Sequence, residues 1–236
     1  MKKLNALLAI VPVCTAVVCA VFFWYEYGLI SLAFDAAIIL FLPFASLFHE
    51  LGHIFFGALV GIKAVPKLKL FGSSSCKIIP KTYKNLRPKV FFTAMGGIIV
   101  NVLFVITGIV ALCVRGCPSW LAVVMPTSVW LYLINIVPVR YSGGKTDGLI
   151  LFEIAKNDDT AKVMLAVLSV QAQVLRGKPI QEIDENLLFG VPQIAEDEEA
   201  FIALTELRYE YFNAKGDEQQ AEKYRLRFEE LKNEYM

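Results

Sequence analysis

Acidic side chains are nearly absent from the first 147 residues of this 236-residue chain, where Glu26, Asp35, Glu50 and Asp147 face thirteen lysines and arginines. Charged residues reach only 19% overall against roughly a quarter in soluble domains, while apolar residues reach 56%. So little charge with so much apolar surface excludes a purely soluble enzyme and a disordered chain. Histidine is scarcer still, with two in the whole chain. The same composition excludes a disulfide-stapled secreted scaffold. The five cysteines form no Cys-x-x-Cys pair, and although Cys113 and Cys117 are close enough in sequence to bridge, these thiols are assigned no chemistry. There is no glycine-rich phosphate loop. What charge exists is divided, with a balance of +9 over residues 1–147 and −8 over 148–236 behind the net +1. An acidic tail of that kind argues against nucleic acid as a partner.

Long apolar runs, by contrast, are plentiful. A bilayer core needs about 20 apolar residues in a helix. Leu4 to Tyr25, Gly28 to Ile62, Val90 to Val114 and Trp120 to Val139 each reach that length, the second interrupted by Asp35, Pro43 and a polar cluster at 49–53. The loop at 63–89 carries eight lysines and arginines and no acid. Positive charge marks the cytoplasmic side, which places both termini and this loop in the cytoplasm. The first run is about twice a signal-peptide core and reads as a retained anchor. The expected fold class is therefore an all-α polytopic membrane protein with about four transmembrane helices, a short cytoplasmic β-hairpin and a C-terminal soluble helical domain. Residues 1–28 form the N-terminal anchor, 29–150 the core with its basic loop at 63–89, and 151–236 the cytoplasmic acidic domain.

The hairpin is expected from two period-2 runs, Lys67 to Phe71 and Cys76 to Pro80, around Gly72-Ser73-Ser74-Ser75. Its lysines suit an anionic lipid surface, and a strand edge there suits an extended substrate. In the tail, a helix is expected from Leu149 to Lys156. Asp158-Asp159-Thr160 then caps a helix to Arg176, ended by Gly177 and Pro179. A helical hairpin over 196–214 and 217–235 turns at Lys215-Gly216, with an apolar stripe through Ile202, Leu204, Leu207, Tyr211 and Phe212. Such a domain could dock a partner or simply bury its own stripe.

Both histidines lie in one pentapeptide, His49-Glu50-Leu51-Gly52-His53, inside the second apolar run. Residues four apart share a helix face, so both imidazoles project together and can hold one Zn²⁺. Glu50 lies close enough to act as general base on a water at that ion. Ionisable side chains within a membrane run are costly and mark function by default. A catalytic zinc takes three protein ligands, and with no third histidine available the third is expected to be a carboxylate. Asp35 is fourteen residues before His49, about 21 Å along one helix. That leaves Asp147, with Glu153 as the alternative. Pro138 ends regular helix and Gly143-Gly144 permits a turn back towards the histidines.

Three segments together resemble the site-2 protease family of intramembrane zinc metalloproteases. They are His49-Glu50-Leu51-Gly52-His53, the Gly97-x-x-x-Asn101 stretch within Gly96-Gly97-Ile98-Ile99-Val100-Asn101, and Asn135-x-x-Pro138 leading to Asp147-Gly148. The resemblance covers roughly residues 29–150. It departs from the family's Leu-Asp-Gly pattern at Thr146 and at the Ser142-Gly143-Gly144-Lys145 insert. It implies His49, His53 and Asp147 as zinc ligands, Glu50 as general base, and Asn135 and Asn101 as substrate-binding residues, with helix packing as the other role for Asn101. It implies cleavage of a membrane-tethered substrate in or near its transmembrane segment; the chain's small size and simple plan lead us to expect a bacterial plasma membrane. A zinc-binding membrane protein without catalysis, a pseudoprotease or a metal carrier, is the competing reading of the same residues.

Overall fold

The computed structural model describes residues 29–67, 75–114, 119–141 and 144–235. The first apolar run, the 1–28 anchor and the hairpin tip lie outside the described residues. The chain is mostly helical with two short antiparallel sheets. In order it runs α1 (Leu29–Leu59), β1 (Ile62–Lys67), β2 (Ser75–Pro80), α2 (Leu86–Val114), α3 (Ser119–Ile136), β3 (Arg140–Tyr141) and β4 (Gly144–Lys145). It continues with α4 (Asp147–Lys156), α5 (Asp159–Leu175), a 3-10 turn (Ile180–Glu182), α6 (Asn186–Phe189), α7 (Glu199–Lys215) and α8 (Glu218–Tyr235). These elements form two compact units. One takes the described residues up to Phe56 with Pro66–Cys76 and Ala94–Leu149; the other takes Gly57–Val65, Lys77–Thr93 and the chain from Ile150 onward.

Among the described residues two helices are long and apolar enough to cross a membrane, Leu40–Val60 (21 residues) and Leu86–Ala111 (26 residues), whereas the apolar stretch Val124–Ile136 is shorter. Helix α1 carries its apolar and polar residues the opposite way round from a soluble helix. Leu40, Phe44, Phe48, Leu51, Phe55 and Leu59 are exposed along one stripe, while His49, Glu50 and His53 are buried on the other face. In α2 Leu103, Ile106 and Val110 face outward and Asn101 is buried. The two helices meet backbone to backbone. A Cβ on Gly52 would lie 2.4 Å from the Gly96 carbonyl oxygen, so only glycine allows this approach.

The first strand of the hairpin starts earlier than expected, and residues 68–71 of the expected run lie outside the described residues. The strand begins at Ile62, directly after Gly61 in the left-handed conformation (φ 77°), rather than at Lys67. Ile62 and Ala64 are buried and Lys63 and Val65 exposed. This alternation starts as soon as Gly61 releases the helix.

The second unit has two cores. Ile62, Leu86, Val90, Ile154, Ala161 and Leu168 form one. Beside them the Arg87 guanidinium donates to the carbonyls of Ile154 (3.0 Å) and Ala155 (3.0 Å), satisfying acceptors at the end of α4. The other joins Val163, Val167 and Val170 of α5 to Leu204, Leu207 and Tyr211 of α7, so the expected stripe is the domain's own core. Asp158 caps α5 through the Ala161 amide (2.9 Å). The turn between α7 and α8 uses Gly216 at φ 76°. Helix α7 begins at Glu199, three residues later than expected, after the extended Glu198.

Candidate metal centre

The site is assembled within the first unit. Helix α1 turns His49, Glu50 and His53 to its buried face, at 5%, 4% and 5% exposure. Helix α2 lies against them through Gly96 and Gly97. The remaining carboxylate arrives by a fold-back after α3. That helix stops at Ile136, two residues before Pro138. Strands β3 and β4 then pair Arg140 with Lys145 and Tyr141 with Gly144. The Thr146 hydroxyl donates to the Val137 carbonyl (2.6 Å), the Thr146 amide donates to Val139 O (3.1 Å), and the Leu149 amide donates to the Thr146 hydroxyl (3.3 Å). Thr146 thus ties the return strand to the end of α3 and caps α4 in one residue. Gly148 follows of necessity, because a Cβ there would lie 2.2 Å from the Ile136 carbonyl oxygen. The result sets Asp147 against the histidine pair. Glu153, the alternative carboxylate, belongs to the second unit.

The three side chains form a triangle. His49 Nε2 and His53 Nε2 are 3.1 Å apart, and Asp147 Oδ2 is 3.1 Å from the first and 3.3 Å from the second. Ligand bonds of about 2.0–2.2 Å at tetrahedral angles separate ligand atoms by roughly 3.3–3.6 Å. A metal ion therefore fits with a small outward movement of each ligand. Three lone-pair donors facing one another repel, and a single shared proton relieves only one edge of the triangle, whereas a cation relieves all three. Two imidazole nitrogens and one carboxylate oxygen suit a first-row transition ion or zinc better than calcium or magnesium. Burial opposes the Asp147 charge, but the facing imidazoles of His49 and His53 outweigh it and hold the carboxyl at about 2. The group is an anion at neutral pH. Space for an ion is preserved from the fourth side by Gly97, where a Cβ would lie 2.5 Å from His49 Nε2 and 2.6 Å from His53 Nε2. Glu50 stands outside the ligand triangle with its buried Oε2 unpartnered.

The two asparagines part company. Asn101, 1% exposed, reaches His49 Nδ1 at 3.0 Å through its amide group, so it belongs to the centre through the histidine. Asn135 donates instead to the Leu131 carbonyl one turn back in its own helix (3.0 Å). Cys76, given no chemistry in the sequence, lies within hydrogen-bonding reach of Glu50. No motif announces it; only the course of β2 brings the thiol there. Burial pushes this thiol up to about 12, with the charges of Glu50 and Asp147 adding to the effect. The thiolate is the nucleophile, so Cys76 in metal-free protein is expected to alkylate about a thousandfold more slowly at pH 8 than a free thiol. Glu50→Gln removes one of the opposing charges and is expected to speed it severalfold. Site-resolved mass spectrometry of timed iodoacetamide labelling checks this, and equal rates in both proteins would separate Cys76 from Glu50.

No protein-family model matches the chain, and neither does any curated protein or solved structure.

Proposed function

We propose that this protein is an intramembrane zinc metalloendopeptidase of site-2 protease type, which hydrolyses a peptide bond in or near the transmembrane segment of a membrane-tethered substrate. The observation that carries the reading is the His49, His53, Asp147 triangle with the unpartnered Glu50 oxygen beside it, buried between helices whose apolar stripes face outward. Inward polar and outward apolar residues suit a lipid surround, where an ionisable cluster has no role without a partner. The same reading takes four spans, at 4–25 and along α1, α2 and α3, with the basic 63–89 loop and both termini on the cytoplasmic side of a bacterial plasma membrane.

When bound, zinc supplies a Lewis-acid centre that acidifies a water and polarises the peptide carbonyl. The chain's own residues divide the rest. His49, His53 and Asp147 hold the ion. Glu50 takes the water's proton at Oε2 and delivers it to the departing amide nitrogen. Strand β2, whose Cys76 adjoins Glu50, offers an edge along which an unwound substrate can lie extended. Asn135 is the residue on the α3 side assigned to orient the scissile peptide.

Purified protein is expected to hold one zinc per chain, to lose it in His53→Ala and Asp147→Ala, and to stop cleaving single-span membrane proteins in both variants. Zinc retained in either variant would refute the ligand set. Zinc held normally with no cleavage of any single-span protein would leave a binding protein in place of an enzyme.

A further inference from the structure

We propose that Asn101 is a positioning residue that sets the tautomer of His49, its side-chain oxygen accepting the Nδ1 proton so that Nε2 presents a lone pair to the metal. This rests on the metal centre described above and adds a residue to it. A neutral imidazole carries one proton, on Nδ1 or on Nε2. His49 Nε2 faces His53 Nε2 at 3.1 Å and Asp147 Oδ2 at 3.1 Å, and it is the only ring nitrogen of His49 directed into the triangle. To ligate, Nε2 must be bare, and the proton must then sit on Nδ1 and find an acceptor.

The group opposite Nδ1 is the Asn101 carboxamide at 3.0 Å. Its nitrogen Nδ2 faces the ring while Oδ1 is buried without a partner. With Nδ2 donating to Nδ1, the ring proton is on Nε2, which faces His53 Nε2 at 3.1 Å and Asp147 Oδ2 at 3.1 Å. A cation at Nε2 requires the other tautomer, with the proton on Nδ1. A half-turn of the Asn101 amide about its Cβ–Cγ bond exchanges Nδ2 for Oδ1 with no movement of α2. It supplies the acceptor that Nδ1–H requires and gives the orphaned oxygen its partner. Outer partners of this kind fix ring orientation and raise ligand basicity, and their loss costs roughly 10–100-fold in metal affinity.

The test uses the full chain in nanodiscs with Zn²⁺ as the probe. The chain has only two histidines, so the ¹⁵N spectrum of histidine-labelled protein contains four ring nitrogens. In the zinc-loaded wild type the His49 Nδ1 is expected to be protonated and to show a magnetisation-transfer contact with the Asn101 carboxamide. Asn101→Leu is expected to weaken Zn²⁺ binding by about 10–100-fold. Asn101→Asp retains the acceptor and is expected to bind within a few-fold of wild type. A packing role alone predicts the reverse order, since a buried carboxylate disturbs the helix contact more than leucine does. An unprotonated His49 Nδ1 in loaded wild type, or wild-type affinity in Asn101→Leu, overturns the proposal, and the first of these is decided even if a variant fails to fold. Wild type that takes up no Zn²⁺ overturns the metal centre itself, an outcome distinct from loaded protein with the other tautomer.

Discussion

Replacing Gly97 by alanine is expected to abolish metal binding while leaving the helices of the second unit folded. The added methyl carbon would lie 2.4 Å from His49 Cε1, 2.5 Å from His49 Nε2 and 2.6 Å from His53 Nε2. Those distances are scarcely longer than a zinc–nitrogen bond of about 2.0–2.1 Å, so the methyl competes with the ion for one volume. Either the imidazoles rotate out of the triangle or α2 retreats from α1. Retreat is resisted at the adjacent residue, where Gly96 and Gly52 touch through their backbones. Overpacking a tight site costs about 1–3 kcal/mol. Together with the loss of the ion's own position, the drop in zinc affinity is expected to exceed about 10²-fold. Metal titration of Gly97→Ala, with circular dichroism to follow the α7–α8 hairpin, reads both halves of the expectation. Undiminished zinc binding would mean that the ion does not sit between the histidines and Gly97.

Glu50→Gln is expected to separate catalysis from binding. The substitution preserves shape and leaves His49, His53 and Asp147 in place, so zinc content is unchanged. It removes the only carboxylate in the pentapeptide able to take a proton from water. A positioned general base contributes about 10²–10⁴ in rate, or roughly 3–5 kcal/mol of barrier, and turnover should fall by that factor. In cells the same variant should accumulate intact single-span membrane proteins that the wild type removes. Comparing membrane proteomes of the two strains would therefore name the substrates as it tests the role. Equal proteomes, with both proteins expressed and loaded with zinc, would end the protease reading. Loss of zinc in Glu50→Gln would instead move Glu50 into the ligand set. The contrast with His53→Ala and Asp147→Ala, in which metal and activity disappear together, distinguishes base from ligand.

Much of this protein was legible in the chain before any coordinates, and the legible part has a common character. Two histidines four apart on one helix face, the Asp158 cap and the Gly216 turn are all determined by residues within a few positions of one another. Helical and strand periodicity carry such information directly. The first strand starts at Ile62, before the expected Lys67, because Gly61 leaves the helix at positive φ and so permits the earlier start.

Contacts between segments distant in sequence were decided by the tertiary structure. The nearness of Asp147 to the histidines depends on the β3–β4 fold-back and on Thr146, which ties that fold-back to the end of α3. The pairing of Asn101 with His49 depends on how far α2 slides along α1, and the Gly52–Gly96 contact sets that offset. Cys76 reaches Glu50 because β2 runs where it does. One helix's pattern states which face is polar, but not the azimuth or height at which another helix meets it. The sequence by itself determined the kinds of ligand and their spacing along α1. Packing between backbones, possible only where side chains are absent, decided which other residues stand around them.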